Sequence, residues 1–271
     1  CSSDLDQETA RLNRPPKGVS MQTILRSYVY IKNGRNDAAL RLLRANMRWN
    51  IDNFGEDHYF TAVNRGLLAT ALWKAGNDAE ARTEFARALT NMSSPASLTG
   101  DYVENAIQRK TKRFILQSYL QLLAQTAATQ PKDAEIIFQI ADQLNTSTVQ
   151  QALSEAAVRS GVTVPGLADI IRKEQDAKNE IATLTNYING QGTEDDKRRT
   201  PQVIDQMRLR LREIETHRKE YKAQIQKGYP EYFQLIQPKA PSREDIAQQL
   251  QPDELFMAVI PMEDKTYVWA I

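Results

Sequence analysis

Apolar positions recur every three to four residues through most of this chain, which is the helical period, and every second residue in its last stretch, Asp253 to Ile271, which is the strand period. Two early segments, MQTILRSYVYIKNGRNDAALRLLRANMRW and YFTAVNRGLLATALWKAGNDAEARTEFARAL, share one order of events. A helical face is followed by a Gly, then by an Asp with small residues behind it, then by a second helical face. Gly34 and Gly76 align at an offset of 42 residues, and the same offset sets Ala39 on Ala81, Leu43 on Phe85, Ser27 on Ala69 and Tyr30 on Leu72. A Gly that stops one helix and an Asp that opens the next predict a helix hairpin, with small residues where two helices touch.

Residues 101–160 continue with a helical stripe at Phe114, Ile115, Tyr119, Leu122 and Leu123, interrupted by Pro131. DAEIIFQIADQLNTSTVQQALSEAAVRSG then predicts one or two further helices. From Leu167 a heptad places Leu167, Glu174, Ile181 and Ile188 at one core position and Ile170, Ala177 and Leu184 at the other. From Ile204 a second heptad places Ile204, Leu211, Arg218 and Ile225 at one position and Met207, Ile214 and Tyr221 at the other. NGQGTEDDKRRTP lies between them, so the two helices are expected to fold back as an antiparallel coiled coil. Facing layers then pair residues whose numbers sum to 392, as Ile181 with Leu211 and Ile188 with Ile204 do. Glu174 and Arg218 share that sum and are expected to form a salt bridge that sets register more than stability.

The final segment reads as strand, turn and strand, with Tyr267 and Trp269 on one face and Val268 and Ala270 on the other. A short helix from about Ser242, opened by a Ser with acids behind it, precedes it. The whole is mainly α. It is expected to comprise helical hairpins, an antiparallel coiled-coil hairpin, and a short β-hairpin.

Composition narrows the function classes. With 35 basic against 34 acidic residues and a net charge of +1, nothing in the overall balance calls for nucleic acid or an anionic surface. The basic runs Arg109–Arg113 and Lys197–Arg199 have acids nearby and no interleaved aromatic residues, so they read as solvated helix faces. Glu194, Asp195 and Asp196 fall in a loop that does not preorganise a metal site, and the neighbouring GQG lacks the strand and the Lys-Ser/Thr of a phosphate loop. No cofactor and no metal are expected. One cysteine and two histidines, His58 and His217, give no disulfide framework and no oriented nucleophile, so no catalytic residue is expected within these 271 residues. No run of about 18 apolar residues is present to span a membrane.

The two hairpin segments resemble the tetratricopeptide repeat in its longer form, in which a stretch like NFGEDHYFTA (Asn53–Ala62) joins successive hairpins. The resemblance implies a surface that takes a protein or peptide partner. Tyr28, Tyr30, Trp49, Phe54, Tyr59 and Trp73 cluster in this region. Most are expected to be core and some to line the surface that takes a partner, for which Tyr28, Tyr30, Trp49, Tyr59 and Trp73 are the candidates, and the sequence does not separate the two groups. The C-terminal part resembles the entry into a CHAT domain, the caspase-like peptidase module that follows such repeats in bacterial proteins. The likeness is carried by Arg172, Glu174, Gln175 and Asp176, by Tyr229-Pro230-Glu231-Tyr232, by the Gln-Pro break at Pro238, by Pro252-Asp253-Glu254, and by Tyr267-Val268-Trp269. It implies that the β-hairpin begins a truncated α/β domain, that the parent is a cysteine peptidase whose His and Cys lie downstream, and that a second partner is the missing remainder of that domain. CSSDLDQ resembles the start of a mature bacterial lipoprotein, with Cys1 as the lipid attachment. The chain would then be membrane-anchored or periplasmic, and otherwise cytoplasmic; an arbitrary fragment boundary is the plainer explanation of Cys1.

The expected organisation is a flexible tether over 1–19, repeats over 20–160, the coiled-coil hairpin over 161–228 and the start of the CHAT domain over 229–271. The expected function is to bind a partner and position the peptidase. The alternative is a stand-alone repeat scaffold or lipoprotein without enzymatic activity.

Overall fold

The computed structural model describes residues 20–92, 106–145, 164–189, 201–236 and 241–271. The tether with Cys1, the loop bearing Glu194, Asp195, Asp196 and the Lys197–Arg199 run, the segment between Asn145 and Val164, and Pro238 lie outside the described residues. Ten helices and two strands are described. The chain divides into two compact units, residues 1–115 with 173–221 and residues 116–172 with 222–271.

The first unit opens with two helix pairs, α1 (Ser20–Lys32) with α2 (Asn36–Phe54) and α3 (Tyr59–Lys74) with α4 (Asp78–Met92). Each pair turns on the same device. Gly34 (φ 72°) and Gly76 (φ 84°) adopt the left-handed conformation, open to glycine without steric cost. Around each, two backbone bonds close the preceding helix. Gly34 donates to Ile31 and Arg35 to Tyr30, while Gly76 donates to Trp73 and Asn77 to Leu72, all between 2.9 and 3.1 Å. The 42-residue offset seen in the sequence is thus an offset of hydrogen bonds. Ser27, Ala39, Ala69 and Ala81 are fully buried where helices cross, with Leu43, Leu72 and Phe85 filling the space beside them.

The third helix is enclosed on every side. All residues from Phe60 to Leu72 are buried, and α3 packs on α1, α2 and α4. The start of α5 (Ala106–Ala124) packs there too, since a methyl group on Gly66 would come within 2.6 Å of Ile115 Cγ2. Two buried polar side chains of α3, Asn64 and Thr70, are satisfied inside. Asn64 donates to Leu43 O at 3.0 Å and accepts from Asn46 Nδ2 at 2.9 Å, and Thr70 donates to Gly66 O at 2.9 Å.

Two long helices, α7 (Leu167–Asn189) and α8 (Pro201–Gly228), run antiparallel: Glu180 meets Arg210 and Glu174 meets Arg218, so numbers rise on one helix as they fall on the other. Ile181, Ile188, Ile204, Leu211 and Ile214 are buried along this hairpin. One detail departs from the heptad reading. The second seam position of α7 holds Thr185, fully buried, while the expected Leu184 is only half-buried; at the other end Ile171 is buried and Ile170 half-buried. Thr185 sits there without penalty because its hydroxyl donates to Ile181 O at 2.7 Å.

In the second unit α6 (Pro131–Asn145) starts with its Pro at the first helical position and buries Ile137, Phe138, Ile140 and Ala141. Leu167 and Ile171 of α7 and Ile225 of α8 form a small core, capped by Tyr229 and by Tyr232 and Phe233 of α9 (Pro230–Ile236). The short α10 (Arg243–Ala247) is opened by Ser242 and Asp245, each accepting the other's backbone N–H. An antiparallel pair, β1 (Met257–Pro261) and β2 (Thr266–Ala270), sets Val259 opposite Val268 and Ile260 opposite Tyr267. Ala258 and Ile260 are buried on the side of α6, where Phe256 meets Phe138 edge-on at 6.2 Å. Met257, Val259 and Val268 are exposed on the other face.

Candidate functional site

The aromatic residues proposed to bind a partner are all half-buried and do not gather in one place. Tyr28 packs edge-on against Phe114 at 5.1 Å, and Tyr30 lies beneath the Arg35 guanidinium at 4.8 Å. Trp49 packs edge-on against Phe54 at 5.5 Å. Tyr59 and Trp73 stand at opposite ends of α3, about 21 Å apart by helical rise. Trp73 carries Lys74 over its ring at 5.0 Å. Each ring therefore presents one face or edge to solvent beside a cation or another ring, spread over three helices.

Buried charge is concentrated elsewhere. Arg65, with 7% of its side chain exposed, reaches from α3 to Glu56 in the α2–α3 connector (2.5 Å) and to Glu84 of α4 (2.9 Å). Its two carboxylates compensate a guanidinium that would otherwise be prohibitive inside a helical core. Arg65 is the one charged residue of α3 before Lys74, and that isolation is a signal the sequence reading passed over.

In the hairpin seam Arg218 Nε donates to Glu174 Oε1 at 2.8 Å, with 5% and 13% of the two side chains exposed. Burial, and then the Arg218 charge, pull the Lys178 ammonium down to about 8. Arg210 and Glu180 pair bidentately at 2.6 and 3.1 Å on the exposed flank of the same hairpin.

The connector's His58 caps α3. Its Nδ1 accepts from Phe60 N–H at 3.1 Å, its ring stacks on Phe54 at 4.7 Å, and its Nε2 lies 3.9 Å from Glu215 Oε1 of α8. Burial holds the imidazole down at about 4, and burial pushes the Glu215 carboxyl up to about 7, Asp57 adding to the rise and Lys219 opposing it. Nothing in the sequence flagged Glu215, which is one residue off the apolar seam. His217 is half-buried beside Tyr221 at 6.4 Å and takes no part in this contact.

Among the described residues no group of three or more His, Cys, Asp or Glu side chains is placed to hold a metal ion. Among the same residues no helix is long and apolar enough to cross a membrane. The arrangement offers half-buried rings spread over a helical scaffold and a set of buried polar ties.

No curated protein and no solved structure matches the chain. Residues 20–94 match the family model described as tetratricopeptide repeat, the segment that holds both Gly-turned helix pairs and the buried α3.

Proposed function

We propose that this chain is the protein-interaction and regulatory region of a CHAT-family caspase-like cysteine peptidase, with the repeats taking a protein or peptide partner and the rest positioning the peptidase domain. The observation that carries the binding part is the tetratricopeptide match over residues 20–94, since repeats of this kind generally bind proteins. Tyr28, Tyr30, Trp49, Tyr59 and Trp73 are the contact residues in this reading. The peptidase part is supported by the resemblance around Arg172–Asp176, Tyr229–Tyr232, Pro252–Glu254 and Tyr267–Trp269. It is supported also by strands whose two faces are both apolar, as expected where a sheet is covered on both sides.

The experiment is to read the open reading frame on both sides of the segment. Downstream strands carrying a His and a Cys support the peptidase, and mutating that Cys should then abolish cleavage. A stop codon after Ile271 overturns it and leaves a repeat scaffold.

A further inference from the structure

The last turn of α2 and the α2–α3 connector together meet one stripe of α8 through three polar pairs. Asn53 Oδ1 accepts from Arg208 Nε at 2.9 Å and Nη2 at 2.5 Å, Lys219 Nζ lies 3.6 Å from Asp57 Oδ2, and His58 Nε2 faces Glu215 Oε1. Arg208, Glu215 and Lys219 fall at helical spacings that align on one face. Asn53 and His58 are buried by the contact region, whereas Asp57 and Lys219 are exposed at its rim. Polar pairs of this kind separate at far lower cost than an apolar seam, because water replaces the partners lost.

We propose that the connector and α8 form a releasable latch, in which His58 and Glu215 face each other as a neutral pair when closed and become oppositely charged when the contact opens to water. With Nδ1 committed to Phe60 N–H, the neutral imidazole carries its proton on Nε2 and presents it to Glu215. Both groups are desolvated when closed, which keeps His58 unprotonated down to about 4 and Glu215 protonated up to about 7. The charges around Glu215 are Asp57 on the connector and Arg212, Arg218 and Lys219 on α8. Behind Arg218 stand Glu174 and Lys178 of α7.

The signs oppose each other. Glu215, raised when closed from an ordinary 4.5, favours closure fully below that value and loses this contribution as pH rises to about 7. His58, depressed from an ordinary 6.5, favours closure fully above that value and loses this contribution as pH falls to about 4. Between 4.5 and 6.5 the two cancel, since opening moves a proton from one residue to the other and takes up none from solvent.

The test is hydrogen exchange of the whole chain from pH 4.5 to 7, with rates corrected for intrinsic pH dependence, read on the backbone amides of residues 53–62. The wild type should show nearly constant protection across the range. Glu215→Gln should show protection rising by more than about tenfold with pH, because only His58 then titrates. His58→Asn, which keeps a capping acceptor for Phe60 N–H, should show protection falling by a similar factor. A steep slope in the wild type, or flat profiles in both single variants, overturns the latch. Should Glu215→Gln fail to fold by circular dichroism, His58→Asn decides alone, and a flat profile there rejects the proposal.

Discussion

Arg218 of α8 and Glu174 of α7 lie in the seam of the antiparallel hairpin with Nε and Oε1 2.8 Å apart and almost no solvent on either. Two apolar residues at these positions would pack without any desolvation cost, so what the pair contributes is choice of register: a slip of one heptad leaves each charge buried alone. Arg218→Ala or Glu174→Ala should cost about 3 kcal/mol in urea unfolding, whereas Arg218→Met with Glu174→Leu should come within about 1 kcal/mol of the wild type or exceed it. Equal losses in the single and double variants would show that the pair stabilises the hairpin outright.

Gly66→Ala tests how tightly α5 presses on α3. The added methyl would meet Ile115 Cγ2 at 2.6 Å, inside contact distance and against a branched core side chain. A loss of about 1–3 kcal/mol is expected, with partial recovery when Ile115→Ala is added to make room. Thermal unfolding of the four chains measures it, and additive effects of the two changes would mean that the helices do not touch there.

The paired turns predict paired costs. Gly34→Ala and Gly76→Ala each force a side chain into left-handed backbone with open space around it, so the penalty is conformational alone. About 1–2 kcal/mol is expected at each site. The two should add in chemical denaturation if the hairpins are independent turns of one unit.

Lys178 gives a pH dependence of known sign. Its ammonium is held down at about 8 in the fold against an ordinary 10.5, so its neutral form favours folding fully above 10.5 and that advantage disappears as pH falls to about 8. Lys178→Met removes the cost of charging a shielded amine, and at pH 7 it should be more stable than the wild type by about 1 kcal/mol after allowing for solvent screening. The difference in melting temperature should shrink between pH 8 and 10; a constant difference would assign the gain to packing.

The helical hairpins were legible in the sequence because each carries its own punctuation. Gly34 and Gly76 announce left-handed turns, and the alanines behind them announce close crossings. The β-hairpin was legible from its two-residue alternation. The seam of α7 was only partly so, since choosing apolar residues favours Ile170 and Leu184, whereas Thr185 is admitted by a hydroxyl bond to its own helix that no pattern of hydrophobicity records. Among the polar ties, Glu174–Arg218 was legible because both heptads place their one charge in the seam, and those of Arg65 and Glu215 were not. Arg65 and Glu215 earn their places from partners about twenty and more than one hundred fifty residues away in the chain, Glu84 and His58, and long-range pairing of charges leaves no local period.

The two-stranded sheet is not symmetric about its own axis. Phe256 and Ile271 exchange backbone bonds, and Met262 donates to Lys265, so the alternation of the ladder turns Met257, Val259 and Pro261 outward on one margin and Thr266, Val268 and Ala270 on the other. Pro261 has no N–H to offer, which removes one of three outward donors from the β1 margin, while the β2 margin keeps all of its own. Recruitment of another strand is therefore directional: the ladder extends past β2 in full register, and past β1 only with a gap.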